Sequence, residues 1–132
     1  MAEPTKLPCV RVQLCLKKKD DVSDEFFHNY WKGNHVKLAL ENKKFASNVI
    51  RYNQFHTSPK MKAEAGVFEI PVSEYDGIAE VWVKDIETWK SIVTDPDFVE
   101  VIAPDESHFI KAPIHILLGY DYTVIGDTVK PK

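Results

Sequence analysis

Four stretches of the chain have the alternating pattern of half-buried strands. In residues 7–16, apolar side chains at every second position alternate with polar or small ones, which is the period of a strand with one buried face. Similar stretches occur at 48–56, 78–83 and 114–124. The sequence therefore predicts four strands, and the segments between them include two with helical spacing.

The first helical segment is rich in aromatic residues. Ser23 precedes two acidic residues and predicts an N-cap, and apolar or aromatic side chains follow at helical spacing up to Leu38. Gly33 and Asn34 lie inside this stripe, so we expect the helix to bend or break there. His35 would then lie at the break, where the backbone can aim its side chain.

The second helical segment is divided. Asp85 predicts the start of a helix that ends at about residue 93, and Asp95 with Pro96 predicts another that ends near Pro104. The predicted order is β-α-β-β-α-β. This order is typical of the ferredoxin-like split βαβ arrangement, an α+β fold in which helices cover one face of an antiparallel sheet.

One domain accounts for the whole chain. The 132 residues are too few for two ordinary domains, and we expect a single domain over 1–132 with a core of about 8–123. Residues 57–76 are predicted to form an irregular insertion, typical of a lid, a binding loop or an arm onto a partner. Residues 125–132 are expected to form a mobile tail.

The sheet face without helices needs another cover. If Ile50 and Tyr52 point toward the helices, the opposite face carries a mixed set of polar and aromatic side chains. These are Arg11, Gln13, Arg51, Asn53, Glu80 and Trp82. Such a face is too polar for a monomer core and too apolar for bulk water. We therefore predict a homodimer that pairs through its sheet faces, with Glu80 meeting an arginine.

Composition and motifs exclude several classes of function. The net charge is −3 without a basic stripe, which argues against nucleic-acid binding. Cys9 and Cys15 are too far apart on one strand to pair, and apolar runs are too short for a membrane span. We expect a cytoplasmic protein that does not act at a membrane. The sequence has no nucleotide-binding, zinc-protease or serine-hydrolase motif, and its histidines lack ligand spacing, so we expect no metal site.

The candidate chemistry is an aromatic pocket with titratable groups. The predicted catalytic residues are His35, Tyr52, His56 and His115. Histidine titrates near neutral pH, and a tyrosine hydroxyl can donate to a developing oxyanion. The predicted substrate-binding residues are Phe27, Tyr30, Trp31, Gln54, Gly77, Ala79 and Gly119. The small residues among them would leave space for a flat molecule. Each histidine also has a structural interpretation, and His28 and His108 are expected at the surface.

Several blocks resemble one known family. Residues 26–35, FFHNYWKGNH, resemble the FxxYWxxxH signature of the EthD family. Residues 51–56 and 75–82 are similar to the next two blocks of its fungal members, and segments at 95–109 and 119–122 complete the order. The resemblance covers roughly residues 8–123, and the histidine that matches the family signature is His35.

The resemblance implies a fold and an activity. It implies a dimeric α+β barrel and a role in fungal aromatic polyketide pathways of the anthraquinone type, where such proteins are cofactor-independent decarboxylases, dehydratases or cyclases. Our hypothesis is a lyase that decarboxylates a polycyclic β-keto or hydroxyaryl acid. His35 would act as general acid, Tyr52 would hold the oxygen, and His56 or His115 would orient the carboxylate. Dehydration or cyclisation of the same substrate class, cofactor-free monooxygenation and non-catalytic polyketide binding are the alternatives.

Overall fold

A four-stranded antiparallel sheet forms the centre of the molecule, with the strand order β3-β4-β2-β5. The structure is a computed structural model and describes residues 4–127 and 129. The strands are β1 (Thr5–Lys6), β2 (Val10–Lys18), β3 (Val49–His56), β4 (Gly77–Val83), β5 (Ile110–Gly119) and β6 (Tyr122–Thr123). Strands β1 and β6 pair with each other in a separate two-stranded sheet. The predicted last strand at 114–124 is thus two strands, interrupted at residues 120–121.

Short helical pieces connect the strands. They are α1 (Asp24–Tyr30), α2 (Val36–Glu41), α3 (Lys43–Asn48), α4 (Pro59–Ala65), α5 (Ile86–Val93) and α6 (Ala103–Asp105). The side chain of Ser23 caps α1 and that of Asp85 caps α5, as predicted. A π-helical turn, Trp31–His35, joins α1 to α2 without a break in the helix. The predicted irregularity at Gly33 is therefore a π-turn, and a second one, Phe98–Ile102, precedes α6.

This arrangement confirms the predicted ferredoxin-like α+β fold. The helical layer covers one face of the sheet, and the core lies between the two. Phe27, Trp31 and Phe109 are fully buried there, where Leu16 and Ala79 of the sheet also pack. Burial of each large apolar side chain stabilises the fold by roughly 1.5–3 kcal/mol. The aromatic stripe of the first helix is thus mainly a core element.

The uncovered side of the sheet, called the open face below, is mixed as predicted. Arg11, Trp82 and Arg51 are neighbours across three strands, and both guanidinium groups lie over the Trp82 ring, at 5.4 and 5.2 Å from its centroid. Glu80 pairs with Arg11 of the same chain, and Arg11 also lies 2.8 Å from Asp121. The arginine that meets Glu80 is therefore supplied within the chain.

Ile50 lies on a different side from the one predicted. The register of β3 against β4 shifts between Val49 and Arg51. Ile50 therefore packs with Trp82 and Leu7, while Val49 joins the core under the helices. A bulge of this kind moves a side chain to the other face, which strict alternation does not reveal.

The predicted irregular insertion at 57–76 contains regular structure. Its first part is α4, which begins with Pro59 and is capped by the side chain of Ser58. A short helical turn follows at Gly66–Phe68, and the remainder up to residue 76 has neither helix nor strand. The prediction of an irregular segment is thus wrong for its first half, because we read Pro59 as a breaker although it stands at a helix start.

Two further expectations concern the ends and the environment of the chain. The expected mobile tail, 125–132, lies partly outside the described residues; within it, Val129 packs against the cluster around Trp82. Cys9 and Cys15 are free thiols. No helix in the described part of the chain is both long and apolar enough to cross a membrane.

Candidate active site

A small cavity of about 40 Å³ lies between the helical layer and the sheet. Its wall is apolar except for three polar side chains, those of His35, Tyr52 and Glu106. The indole rings of Trp31 and Trp89 form part of the apolar wall. A space of this size holds a few water molecules. The cavity therefore brings three titratable groups together in an enclosed apolar setting.

The π-turn places His35 in this wall. His35 is the last residue of the turn and only 8% exposed. Its Nδ1 lies 2.9 Å from Oδ2 of Asp105, a buried residue of α6. The carboxylate accepts a hydrogen bond from Nδ1–H, so Nε2 is the ring nitrogen that Asp105 does not engage. This pairing of carboxylate and imidazole fixes both the ring orientation and the tautomer.

Asp105 is itself held by a second donor. The Tyr30 hydroxyl donates to its Oδ1 at 2.6 Å. Burial of Tyr30 and the bond to this carboxylate raise the pKa of its phenol to about 12. The phenol therefore remains protonated, and Asp105 receives one hydrogen bond on each oxygen. Tyr30 supports the histidine from behind rather than lining the cavity.

Tyr52 reaches the cavity from β3. The Gln54 Nε2 donates a hydrogen bond to its oxygen at 3.0 Å. Burial raises the pKa of the Tyr52 phenol above its ordinary value. The hydroxyl thus keeps its proton, which is the state needed for donation to an oxyanion.

Glu106 lies at the boundary between the cavity and a larger groove. Burial, with the Asp105 charge next to it, raises the pKa of Glu106 to about 7. Glu106 and Ile110 line both the cavity and the groove, which has a volume of about 720 Å³. Lys19 and Lys111 also line this groove. A carboxylic acid that titrates near neutral pH therefore stands where the enclosed space meets the surface.

The predicted site residues fall into three groups. His35, Tyr52, Trp31 and Ala79 line the cavity. A second group lies directly behind the wall: Phe27, Tyr30, Gln54 and His56. The third group lies elsewhere: Gly77, His115 and Gly119.

The three residues of the last group need correction. A Cβ on Gly77 would lie 2.4 Å from Cζ3 of Trp31, so the space that this glycine leaves is filled by the indole and not by a ligand. His115 is exposed and pairs with Cys15 on the open face, where it contacts Tyr75. Gly119 is opposite Arg11 on the same face. The shared face of His115 and Gly119 was predicted correctly, but that face of β5 was assigned to the wrong side of the sheet.

Two further histidines were expected at the surface. His108 is exposed, as predicted. His28 is half-buried, and its Nδ1 lies 2.6 Å from Nδ1 of His56, so the expectation of a solvated His28 is wrong. The reason is that α1 presents this side chain to the end of β3 rather than to water.

The sequence reasoning missed Asp105 and Glu106. Both follow Pro104 in a segment that was interpreted as a helix end and as part of the family resemblance, with no role assigned to either residue. The available signal was an adjacent acidic pair that ends three residues before Phe109, a buried aromatic residue. Among residues 4–127 and 129, no group of three or more histidine, cysteine or acidic side chains is arranged to hold a metal ion.

Fold and site define a small α+β protein with a mostly apolar pocket under its helices, into which three polar side chains project. The chain belongs to the EthD domain family, whose domain matches residues 19–113, and the resemblance noted from the sequence is thereby confirmed. It is 33% identical to the dehydratase CTB10 of Cercospora beticola over 113 residues, 83% of this chain and 84% of that relative. The conidial pigment biosynthesis dehydratase EthD of Metarhizium robertsii is 25% identical over 111 residues, 81% of this chain and 76% of the relative.

A solved structure agrees with the fold. A dimeric protein of unknown function with a ferredoxin-like fold from Bacteroides fragilis superimposes with a TM-score of 0.59 at 11% identity. The match covers 86% of this chain and 96% of that protein. At this identity the likeness concerns the fold alone.

Proposed function

We propose that this protein is a cofactor-independent lyase that removes water from an aromatic polyketide. The observation that carries the proposal is the buried His35–Asp105 pair, which shares one apolar cavity with Tyr52 and Glu106. Two relatives named as dehydratases, one of them in conidial pigment biosynthesis, support the same reaction. Such an elimination needs a base, a donor to the enolate oxygen and an acid for the leaving hydroxyl.

His35 is the proposed base. With Nδ1–H donated to Asp105, Nε2 takes the proton from the carbon next to a ketone of the substrate. The electrons of the broken C–H bond move into the carbonyl group and form an enolate. The Asp105 carboxylate stabilises the imidazolium that results. The sequence alone predicts a general acid at His35, whereas the contact with Asp105 favours a role as general base.

Tyr52 and Glu106 are the proposed donors. The Tyr52 hydroxyl donates to the enolate oxygen as charge develops there. Glu106, whose pKa is about 7, gives its proton to the departing hydroxyl, which leaves as water when the enolate collapses. The ring gains a double bond, and no oxidant or reductant is consumed. Exchange with solvent at the mouth of the cavity then returns a proton to Glu106 and removes one from His35.

The size of the cavity limits how a substrate binds. About 40 Å³ is far below the several hundred Å³ that a polycyclic ligand requires. In our proposal the ring system lies in the adjoining groove, past Glu106 and Ile110, and only the reacting end approaches His35. Lys19 and Lys111 line that groove together with their ion-pair partners Asp21 and Asp20, so the groove offers charges of both signs to polar groups of the distal ring.

One experiment tests both dehydration and loss of carbon dioxide, which stays a prediction. The purified protein is incubated with a panel of polyphenolic carboxylic acids and β-hydroxyketone precursors, and products are followed by mass spectrometry. We expect the loss of one water molecule from at least one compound with wild type and not with His35→Phe. Loss of carbon dioxide instead would establish the decarboxylase, and gain of an oxygen atom the monooxygenase. Binding without conversion of any compound would contradict the lyase.

We further propose that two copies pair through the open face. Phe55 and Leu117 expose apolar side chains there, at 57% and 63%, and the Bacteroides fragilis protein of the same fold is described as dimeric. Leu117→Asp should shift the protein toward monomer in sedimentation velocity. Leu40→Asp is the matched control, because Leu40 is 60% exposed on the helical layer. A wild-type protein that sediments as a monomer at high concentration would refute the pairing.

A further inference from the structure

A chain of hydrogen bonds leads from the surface of α1 to the Tyr52 hydroxyl. Nδ1 of His28 lies 2.6 Å from Nδ1 of His56, and Nε2 of His56 lies 2.9 Å from Oε1 of Gln54. Nε2 of Gln54 in turn lies 3.0 Å from the Tyr52 oxygen. The same Gln54 nitrogen lies 3.2 Å from the backbone oxygen of Trp31. The chain thus ends at one of the three polar groups in the cavity wall.

The Trp31 carbonyl fixes the direction of every bond. A carbonyl oxygen only accepts, so the Gln54 atom facing it must be the NH₂ group, and that group also donates to Tyr52. Oε1 of Gln54 then faces His56 and must accept, which requires a proton on Nε2 of His56. A neutral His56 therefore has a bare Nδ1, and His28 must donate to it from its own Nδ1.

Burial, together with nearby charges, keeps His56 neutral. Burial lowers the pKa of His56 to about 4, and the charges of His28 and Lys32 act in the same direction. Burial also lowers the pKa of His28, with Lys32 adding to this effect. Asp24, Asp76 and the backbone of Thr57 oppose it. Near neutral pH His56 thus remains the acceptor that the chain of bonds requires.

The consequence falls on Tyr52. Its oxygen accepts a hydrogen bond from Nε2 of Gln54, which occupies one of the two lone pairs. The proton of the Tyr52 hydroxyl must therefore point away from Gln54. A hydroxyl held in this way is oriented before the substrate arrives, and such preorganisation is what makes an oxyanion donor effective.

We propose that His28 and His56, acting through Gln54, are positioning residues that hold the Tyr52 hydroxyl as a donor into the cavity. The inference rests on the proposed function for its catalytic consequence, but its geometry is testable without a substrate. Neither histidine touches the reacting atoms. His56, which the sequence suggested as a catalytic residue, acts here through two other side chains.

The first test reads the protons directly. In protein with isotope-labelled histidine, two-bond proton–nitrogen NMR correlations at neutral pH report which ring nitrogens carry a proton. We expect His56 protonated on Nε2 with a bare Nδ1, and His28 with a proton on Nδ1. Gln54→Glu should alter the His56 pattern, whereas His115→Phe should leave it unchanged. A proton on Nδ1 of His56, or a bare Nδ1 on His28, would overturn the proposal.

The second test asks whether His56 acts through Tyr52. With the panel compound that wild type converts best, His56→Phe keeps the contact with Trp31 but removes the donor, and we expect kcat to fall about fivefold to tenfold with KM nearly unchanged. His56→Gln restores an N–H donor and should recover most of the rate. In a Tyr52→Phe background, His56→Phe should have an effect within about twofold.

The outcomes separate this inference from the proposed function. Suppose that Tyr52→Phe lowers kcat, and that adding His56→Phe to this variant lowers kcat by the same factor as it does in wild type. The positioning role is then wrong and the lyase stands. If Tyr52→Phe has no effect, the assigned role of Tyr52 fails, whatever the NMR shows. If no panel compound is converted, the NMR pattern alone decides whether the chain of bonds exists.

Discussion

The molecule has two histidine–tyrosine sites on opposite faces of one sheet. Under the helices, His35 is buried, its Nδ1 lies 2.9 Å from Asp105, and the same carboxylate accepts from Tyr30. On the open face, His115 is exposed and contacts Tyr75, with ring centroids 5.7 Å apart. The first site has a carboxylate anchor and an apolar cavity beside it.

The difference teaches what makes these residue types reactive. Histidine and tyrosine are present on both faces, so composition and strand alternation give the two sites equal weight. The site under the helices is largely shielded from bulk water, which strengthens each electrostatic contact, and there an acidic residue also fixes the histidine. The His115–Tyr75 pair on the open face has neither this shielding nor, among the described residues, an acidic hydrogen-bond partner, and we expect it to have no catalytic role.

The largest effect expected from this comparison is on turnover. His35→Phe preserves volume and removes the base, so kcat should fall by about 10²–10⁴. His115→Phe is the matched change on the open face and should alter kcat by less than about twofold. The measurement is steady-state turnover of the converted panel compound, with circular dichroism to verify folding. An equal loss of kcat in both variants would contradict the proposed difference between the two faces.

The next effect concerns two glycines, one on each face. Gly77→Ala places a methyl group 2.4 Å from the Trp31 ring, which must shift within a filled core, so unfolding should require about 1–3 kcal/mol less. A Cβ on Gly119 has nothing within 4 Å, and Gly119→Ala should change stability by no more than about 0.5 kcal/mol. Urea unfolding followed by tryptophan fluorescence compares them. A Gly77→Ala protein as stable as wild type would show that the indole has room to move.

The sequence predicted the framework well for a physical reason. Alternation and caps are local signals, and they identified the strands, the caps at Ser23 and Asp85, and the irregular turn at Gly33. The same signals failed at Ile50, where a bulge changes the face, and at Pro59, where a helix begins. Local pattern thus predicts element type better than the exact face of each side chain.

The candidate site depends on contacts between residues far apart in the chain. His35 was identified from the sequence, but its partner Asp105 is 70 residues away and has no spacing that links the two. The pairing of His28 with His56 is equally invisible in a linear pattern. Gly77 was identified as important, yet whether a ligand or Trp31 occupies the space beside it depends on packing. Tertiary contacts of this kind require coordinates.

A smaller effect should appear in the pH dependence of stability. The pKa of Glu106 is raised from 4.5 to about 7 in the folded protein, so folding binds a proton between these values. The stability that this proton provides is fully present below pH 4.5 and is lost as pH rises through about 7. Allowing for solvent screening at the cavity mouth, we expect a loss of about 1–2 kcal/mol.

Glu106→Gln isolates that contribution. The difference in unfolding free energy between variant and wild type, measured in urea from pH 4.5 to pH 8, should grow as pH rises. Taking the difference cancels the opposing contribution of His56, whose pKa is lowered and which both proteins share. A difference that does not vary with pH would mean that Glu106 titrates as an ordinary surface carboxyl.

The smallest effect is expected at the ion pairs of the open face. Arg11 contacts Glu80 and Asp121 with about a third of its side chain exposed, so Arg11→Met should lower the unfolding free energy by about 0.5–1 kcal/mol. Lys111→Met is the control, because the Lys111–Asp20 pair is more exposed and its removal should change the unfolding free energy by nearly zero.

High salt should reduce the effect of Arg11→Met if the open face is in contact with water. If two copies bury it, the effect should instead persist in salt and grow with protein concentration, since the unfolding of a dimer depends on concentration. An Arg11→Met protein that matches wild type under all these conditions would show that the charges of the open face contribute nothing to stability, in contrast to those under the helices.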